Sequence, residues 1–242
     1  MSNFKQYFII ILIIALVAGI GGSLVYRHFV SEQRTKKLEQ LAMDNQWDYY
    51  REYIVDDDEA PEQLKELYDI ANEVIMQNNN FYEEYKFQSI IKGKFQNTDF
   101  WYVFIKASRE YYDTRNEEYK TDINTNSIFI TKTQTPVKHL VIMPYLSSYK
   151  LLDIEYLSNL GGFPLYKVPN YDWLLVSNKE VFNNLLLNSK NLKKLKDILT
   201  EEIVVTFGKN YISLTVNKSL ILQTDDFQKY LSDLAFLKNK VF

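Results

Sequence analysis

Few residues in this chain are of types that could do chemistry, and their spacing decides what chemistry is open to them. The chain has two histidines, His28 and His139, and no cysteine. Disulfides, thiolate zinc sites, cysteine nucleophiles and a lipid-modified cysteine are therefore excluded. His28 sits at the edge of the apolar opening segment and His139 stands alone on an expected strand, so neither is expected to ligate a metal. Asp56, Asp57 and Asp58 form an acidic run, but a calcium loop needs further oxygen ligands and a glycine at its sixth position. Glu201-Glu202 and Asp225-Asp226 lie at element boundaries, where acids favour helix N-termini. No G-x-S-x-G elbow is present. "GKN" at Gly208 suits a hairpin turn, and Gly161-Gly162 lacks the third glycine of a dinucleotide loop. No catalytic residue, cofactor site or metal site is assigned.

Binding chemistry is better represented. The stretch "REYYDTRNEEYKTDINTN" (Arg109–Asn126) is polar, charged and rich in tyrosine, and is expected as an exposed loop. Tyr111, Tyr112 and Tyr119 are its candidate partner contacts, because tyrosine is enriched where proteins meet. "SKNLKKLKD" carries Lys190, Lys193, Lys194 and Lys196 along one helix, a pattern expected of a solvated face. The formal net charge is −3. A chain without a strong basic field is not expected to bind nucleic acid.

The element that must position everything else comes first. "YFIIILIIALVAGIGGSLVYRHF" holds an uncharged run from Phe8 to Val25, bracketed by Tyr7 and Tyr26. As a helix it would cover about 27 Å, close to the hydrocarbon thickness of a bilayer. The bracketing tyrosines suit the two interfaces. A cleaved signal would have a shorter apolar core and a clear small-x-small site, and the residues after Gly21–Ser23 remain apolar. "LVAG" (Leu16–Gly19) resembles the front of a lipobox, but isoleucine follows it. The segment is expected to be a permanent span, ahead of a signal peptide or a buried core helix. Ala15, Gly19 and Ser23 recur at intervals of four, as do Ala18 and Gly22, which allows another membrane protein or a second copy to pack closely. Lys5 precedes the span, whereas Arg27, Arg34, Lys36 and Lys37 follow it. The positive-inside rule then places the C-terminal body in the cytoplasm. The opposite insertion, with an extracytoplasmic body, is the alternative.

Beyond the span, Leu38, Leu41 and Ala42 form a thin apolar stripe of a juxtamembrane helix or stalk. Leu64, Leu67, Tyr68, Ala71 and Val74 mark an amphipathic helix that "NNN" (Asn78–Asn80) ends. Period-two patterning follows in "QSIIKGKF" and "FWYVFIKA", joined by "QNTD" as a hairpin. "SIFITKT", "KHLVIMPY", "LLDIEYL" and "FPLYKVP" are expected as strands. Ser177 and Glu180 form an S-x-x-E capping box opening a helix with a break near Asn188. "EIVVTFGKNYISLTV" is a second hairpin, and Asp225 opens a last helix packing through Phe227, Tyr230, Leu231 and Leu234. The fold class is α+β: a transmembrane helix, a juxtamembrane helix, then a mostly antiparallel sheet packed with helices. The expected boundaries are 1–30 for the anchor, 31–55 for the stalk and 56–242 for the soluble domain. With 19 Tyr and 15 Phe against 7 Gly and 5 Pro, the body has the large side chains a packed core needs.

Three quoted segments together resemble a group of uncharacterised bacterial single-span membrane proteins carrying a domain of unknown function. These are "LEQLAMDNQWDY" (Leu38–Tyr49), the G-x-F strand with its aromatic partner in "IIKGKFQNTDFWYVFIKA", and "DWLLVSNKEVFNNLLL" followed by "EIVVTFGKNYISLTV". Arg109–Asn126 departs from that pattern in being longer and more charged. The resemblance implies a location in the bacterial inner membrane and implies no activity. A membrane-anchored binding or assembly module is the expectation; an envelope-binding protein, and an enzyme built from scattered acids and tyrosines, are the other classes.

Overall fold

The computed structural model describes residues 29–53, 62–78, 84–113, 116–134, 139–144, 164–168, 170–178, 180, 189–199, 203–216 and 224–240. The expected span over Phe8–Val25 lies outside the described residues, as do "LLDIEYL", Glu201-Glu202 and Asp56–Asp58. Among the described residues no helix is long and apolar enough to cross a membrane.

The described elements are helix α1 (29–44), strand β1 (Asp48–Tyr53), helix α2 (Glu62–Asn78), strands β2 (Glu84–Phe95), β3 (Thr98–Asp113), β4 (Glu118–Lys132), β5 (Leu140–Pro144), β6 (Leu165–Lys167) and β7 (Trp173–Ser177), helix α3 (Ser189–Ile198), strands β8 (Ile203–Phe207) and β9 (Tyr211–Val216), and helix α4 (Thr224–Lys240). The nine strands form one sheet in the order β1-β2-β3-β4-β9-β8-β5-β7-β6. Every neighbouring pair is antiparallel. The α+β class and the antiparallel sheet read from the sequence are thus present.

Both faces of the sheet are covered, which is why the central strands are apolar throughout rather than alternating. On one face Leu38, Leu41 and Ala42 of α1, Leu192 and Leu195 of α3, and Phe227, Leu231 and Leu234 of α4 pack over Phe100, Tyr102, Phe104 and Phe129. On the other, Leu64, Leu67, Ala71 and Val74 of α2 pack over Phe87, Ile90, Trp101, Val103 and Ile128. The β2–β3 register shifts between Phe87 and Ser89. That irregularity lets both Phe87 and Ile90 face α2, although a regular strand would point them to opposite sides.

Two tight contacts fix the sheet's lower end, the end of the β2–β3 turn. Phe95 pairs with Thr98 across Gln96 and Asn97, both at positive φ (46° and 62°), the conformation that matches a two-residue turn to strand twist. Trp47, just after α1, lies against Gly93. A Cβ at position 93 would fall 2.4 Å from the indole, so only glycine leaves room for the ring. The same indole donates to the Lys94 carbonyl at 3.3 Å and meets Phe100 edge-on at 4.9 Å. The "NQWDY" and "KGKF" segments singled out in the sequence therefore touch.

Of the helix expected to open near Asn178, Glu180 is helical and residues 181–188 lie outside the described residues. Ser177 ends β7, buried, and its hydroxyl donates to the carbonyl of Asn178. The helix after the expected break near Asn188 is α3.

A candidate docking arm and its root

The sequence pattern of Arg109–Asn126 gave a loop, and the structure has strand there. β3 and β4 pair without interruption from Trp101 with Ile130 to Asp113 with Glu118. The polar residues that suggested a loop are those of a ribbon wet on both faces, which carries no apolar period to read. β2 accompanies β3 only as far as Ser108, opposite Glu84. β9 accompanies β4 only from Ser127 onward. Among the described residues the two strands then continue alone, from Arg109 to Asp113 and back from Glu118 to Asp122. At the usual strand rise these five rungs reach roughly 17 Å past the end of β2.

Near the tip, Tyr112 and Tyr119 are directly opposite in register. Their ring centroids are 5.2 Å apart at 64°, an edge-to-face pair. They remain 49% and 78% exposed. Two large side chains thus hold each other in place while presenting about half of Tyr112 and most of Tyr119 to solvent. Tyr111, the third tyrosine singled out, occupies the neighbouring rung opposite Lys120. Glu118 and Lys120 form an ion pair at 3.2 Å on exposed surface, and Glu117 turns the chain at φ 54°.

Several rungs below the arm, inside the sheet, lies a polar cluster that sequence reading did not detect. Tyr102 is fully buried, and its hydroxyl lies 3.2 Å from the Ser127 hydroxyl on β4. Burial drives its phenol well above its ordinary pKa; Ser127 and Arg34 act the other way. Arg34 of α1 lies with its guanidinium carbon 4.3 Å from the Phe104 ring centre. Burial lowers its pKa. Tyr49 of β1 and Ser89 of β2 make a second hydroxyl pair at 3.2 Å. The only sequence signal for this cluster was Arg34, which had served as a flanking charge.

Among the described residues no three His, Asp or Glu side chains gather to hold a metal. His139 is partly buried before β5; burial lowers its pKa and Glu73 opposes the shift. Asp225 and Asp226 occupy the first turn of α4, as expected of residues at a helix start. Tyr102 is sealed from solvent.

No family model matches the chain, and no curated protein matches it in sequence. Among solved structures, the fold is similar to that of the mycobacterial trehalose monomycolate transport factor A, TtfA. The TM-score is 0.55 at 7% identity, covering 85% of this chain and 93% of that one. At that identity the likeness is one of fold, an α+β body with a large antiparallel sheet.

Proposed function

We propose that this chain is a single-pass, membrane-anchored binding or assembly protein. Phe8–Val25 forms the span, with Gly19 and Gly22 on its close-packing face, and the α+β body lies on the cytoplasmic side of a bacterial inner membrane. Its partners are the bilayer and another protein; nucleic acid and cofactors have no part. The observation that carries the reading is the two-stranded arm with the exposed Tyr112–Tyr119 pair near its tip. Holding two aromatic rings in solvent is unfavourable for a ribbon whose only purpose is to connect two strands, whereas rigid aromatic anchors are what partner surfaces use.

The same scaffold supports a second reading, an accessory to transport at the membrane. The fold likeness to a protein titled a transport factor favours it. With the anchor inserted the other way, the body would instead meet envelope components.

Sidedness and anchoring are tested together. The chain has no cysteine, so single cysteines at Asn45 and Lys240 report cleanly. Resistance to alkaline extraction, with neither cysteine labelled in intact cells by an impermeant reagent, is the expected result. Labelling of both refutes the cytoplasmic body, and extraction refutes the span.

A further inference from the structure

The described body has a direction. α1 starts at the level where Arg34 covers Phe104, and Glu32 meets Arg51 of β1 at 4.0 Å. It ends at the opposite level, where Trp47 meets Phe100 and Lys94. Along β3, Phe104 lies nearer the arm than Phe100 does. The N-terminal end of α1 and the arm therefore leave the body at the same end, and the β2–β3 and β8–β9 turns lie at the other. Four large apolar or aromatic side chains among the described residues are exposed: Phe29, Met43, Tyr112 and Tyr119. Three of the four, Phe29 and the tyrosine pair, are at the arm end.

We infer that the arm is a membrane-proximal docking element whose partner is the basic, bilayer-adjacent surface of an integral membrane protein. The inference rests on the anchored reading above: a chain entering α1 from a span at Phe8–Val25 holds the arm end of the body against the membrane. Charge selects between lipid and protein. From Arg109 to Asp122 the sequence has five acidic and three basic residues, and Glu110, Glu117 and Glu118 are exposed. An acidic tip is repelled by anionic headgroups. Short cytoplasmic loops of membrane proteins, by contrast, are enriched in Lys and Arg. A tyrosine pair flanked by acids complements such a loop, the rings supplying contact area and the carboxylates register.

The full chain is reconstituted in nanodiscs with single cysteines at Glu117, near the arm tip, or at Lys209, in the β8–β9 turn. A fluorophore on each reports quenching by lipids labelled at the headgroup. A photo-crosslinker at Glu117→Cys then reports contact with a synthetic single-span peptide whose emergent tail is rich in Lys and Arg, a Glu-rich tail serving as control. The expected result is quenching at Glu117→Cys and none at Lys209→Cys. Crosslinking to the basic tail should fall with added salt, be lost in Tyr112→Ala/Tyr119→Ala, and be lost in Glu110→Lys/Glu118→Lys. Quenching at Lys209→Cys instead overturns the inference and leaves the anchored reading standing. Crosslinking to lipid, or equally to both tails, also overturns it. Loss of the chain from the nanodisc overturns the anchored reading, and the inference with it.

Discussion

Tyr112 and Tyr119 face each other across the last rungs of a ribbon that has outrun the rest of its sheet, rings 5.2 Å apart and both substantially exposed. A cross-strand aromatic pair contributes about 0.2–1 kcal/mol to strand pairing. Because the pair is largely exposed and lies beyond the end of β2, removing it should leave the body folded. Tyr112→Ala/Tyr119→Ala is expected to lower the unfolding free energy by no more than about 1 kcal/mol, read by denaturant titration. A larger loss would mean that the pair belongs to the core.

Phe227 is the opposite case. Fully buried on α4, it packs against the rings of Trp47, Phe100, Tyr102 and Phe129. Phe227→Ala should cost about 3–5 kcal/mol, the range for truncating a buried aromatic. Thermal unfolding measured beside Phe227→Leu, which retains most of the volume, separates cavity from general misfolding.

Gly93→Ala tests the seat of Trp47. The new methyl would meet the indole well inside contact distance, so the ring must leave Gly93 and give up its bond to Lys94. The expected signature is red-shifted tryptophan emission with a loss of about 1–3 kcal/mol. An unchanged spectrum would show that the backbone gives way instead.

Asp233 makes the body's stability sensitive to acid. Its buried carboxyl lies 3.8 Å from Lys194 on α3. Burial raises its pKa, with Lys194 and Lys229 pulling it down and Asp197 pushing it up. A raised carboxyl pKa binds protons more tightly in the folded state, so its contribution is full below the ordinary carboxylate value of about 3.9 and is lost as pH rises through the folded value. Asp233→Asn should remove that gain, measured as the difference between wild-type and variant unfolding curves across the acidic range. Parallel curves would contradict the assignment.

How much of this was legible beforehand depended on whether a segment carried an apolar period. The α2 stripe from Leu64 to Val74, the β2–β3 hairpin and the β8–β9 hairpin each bury a face, and each was readable. The stripe of Leu38, Leu41 and Ala42 was also readable, but not its destination in the main core under α4. The arm was missed because a ribbon exposed on both faces has no apolar side to alternate. Its tyrosines were singled out by residue type, while the pairing of Tyr112 with Tyr119 required the register. The Arg34–Phe104 and Tyr102–Ser127 contacts join residues far apart in the chain, and no local pattern announces them.

The docking role of the arm is tested by a photo-reactive residue at Tyr112 in the full chain in cells, with one at Asn97, in the turn at the far end of the sheet, as the comparison. A discrete protein adduct from Tyr112 that disappears on Tyr119→Ala is expected, and none from Asn97. No adduct from Tyr112, or equal adducts from both positions, would contradict a docking role for the arm.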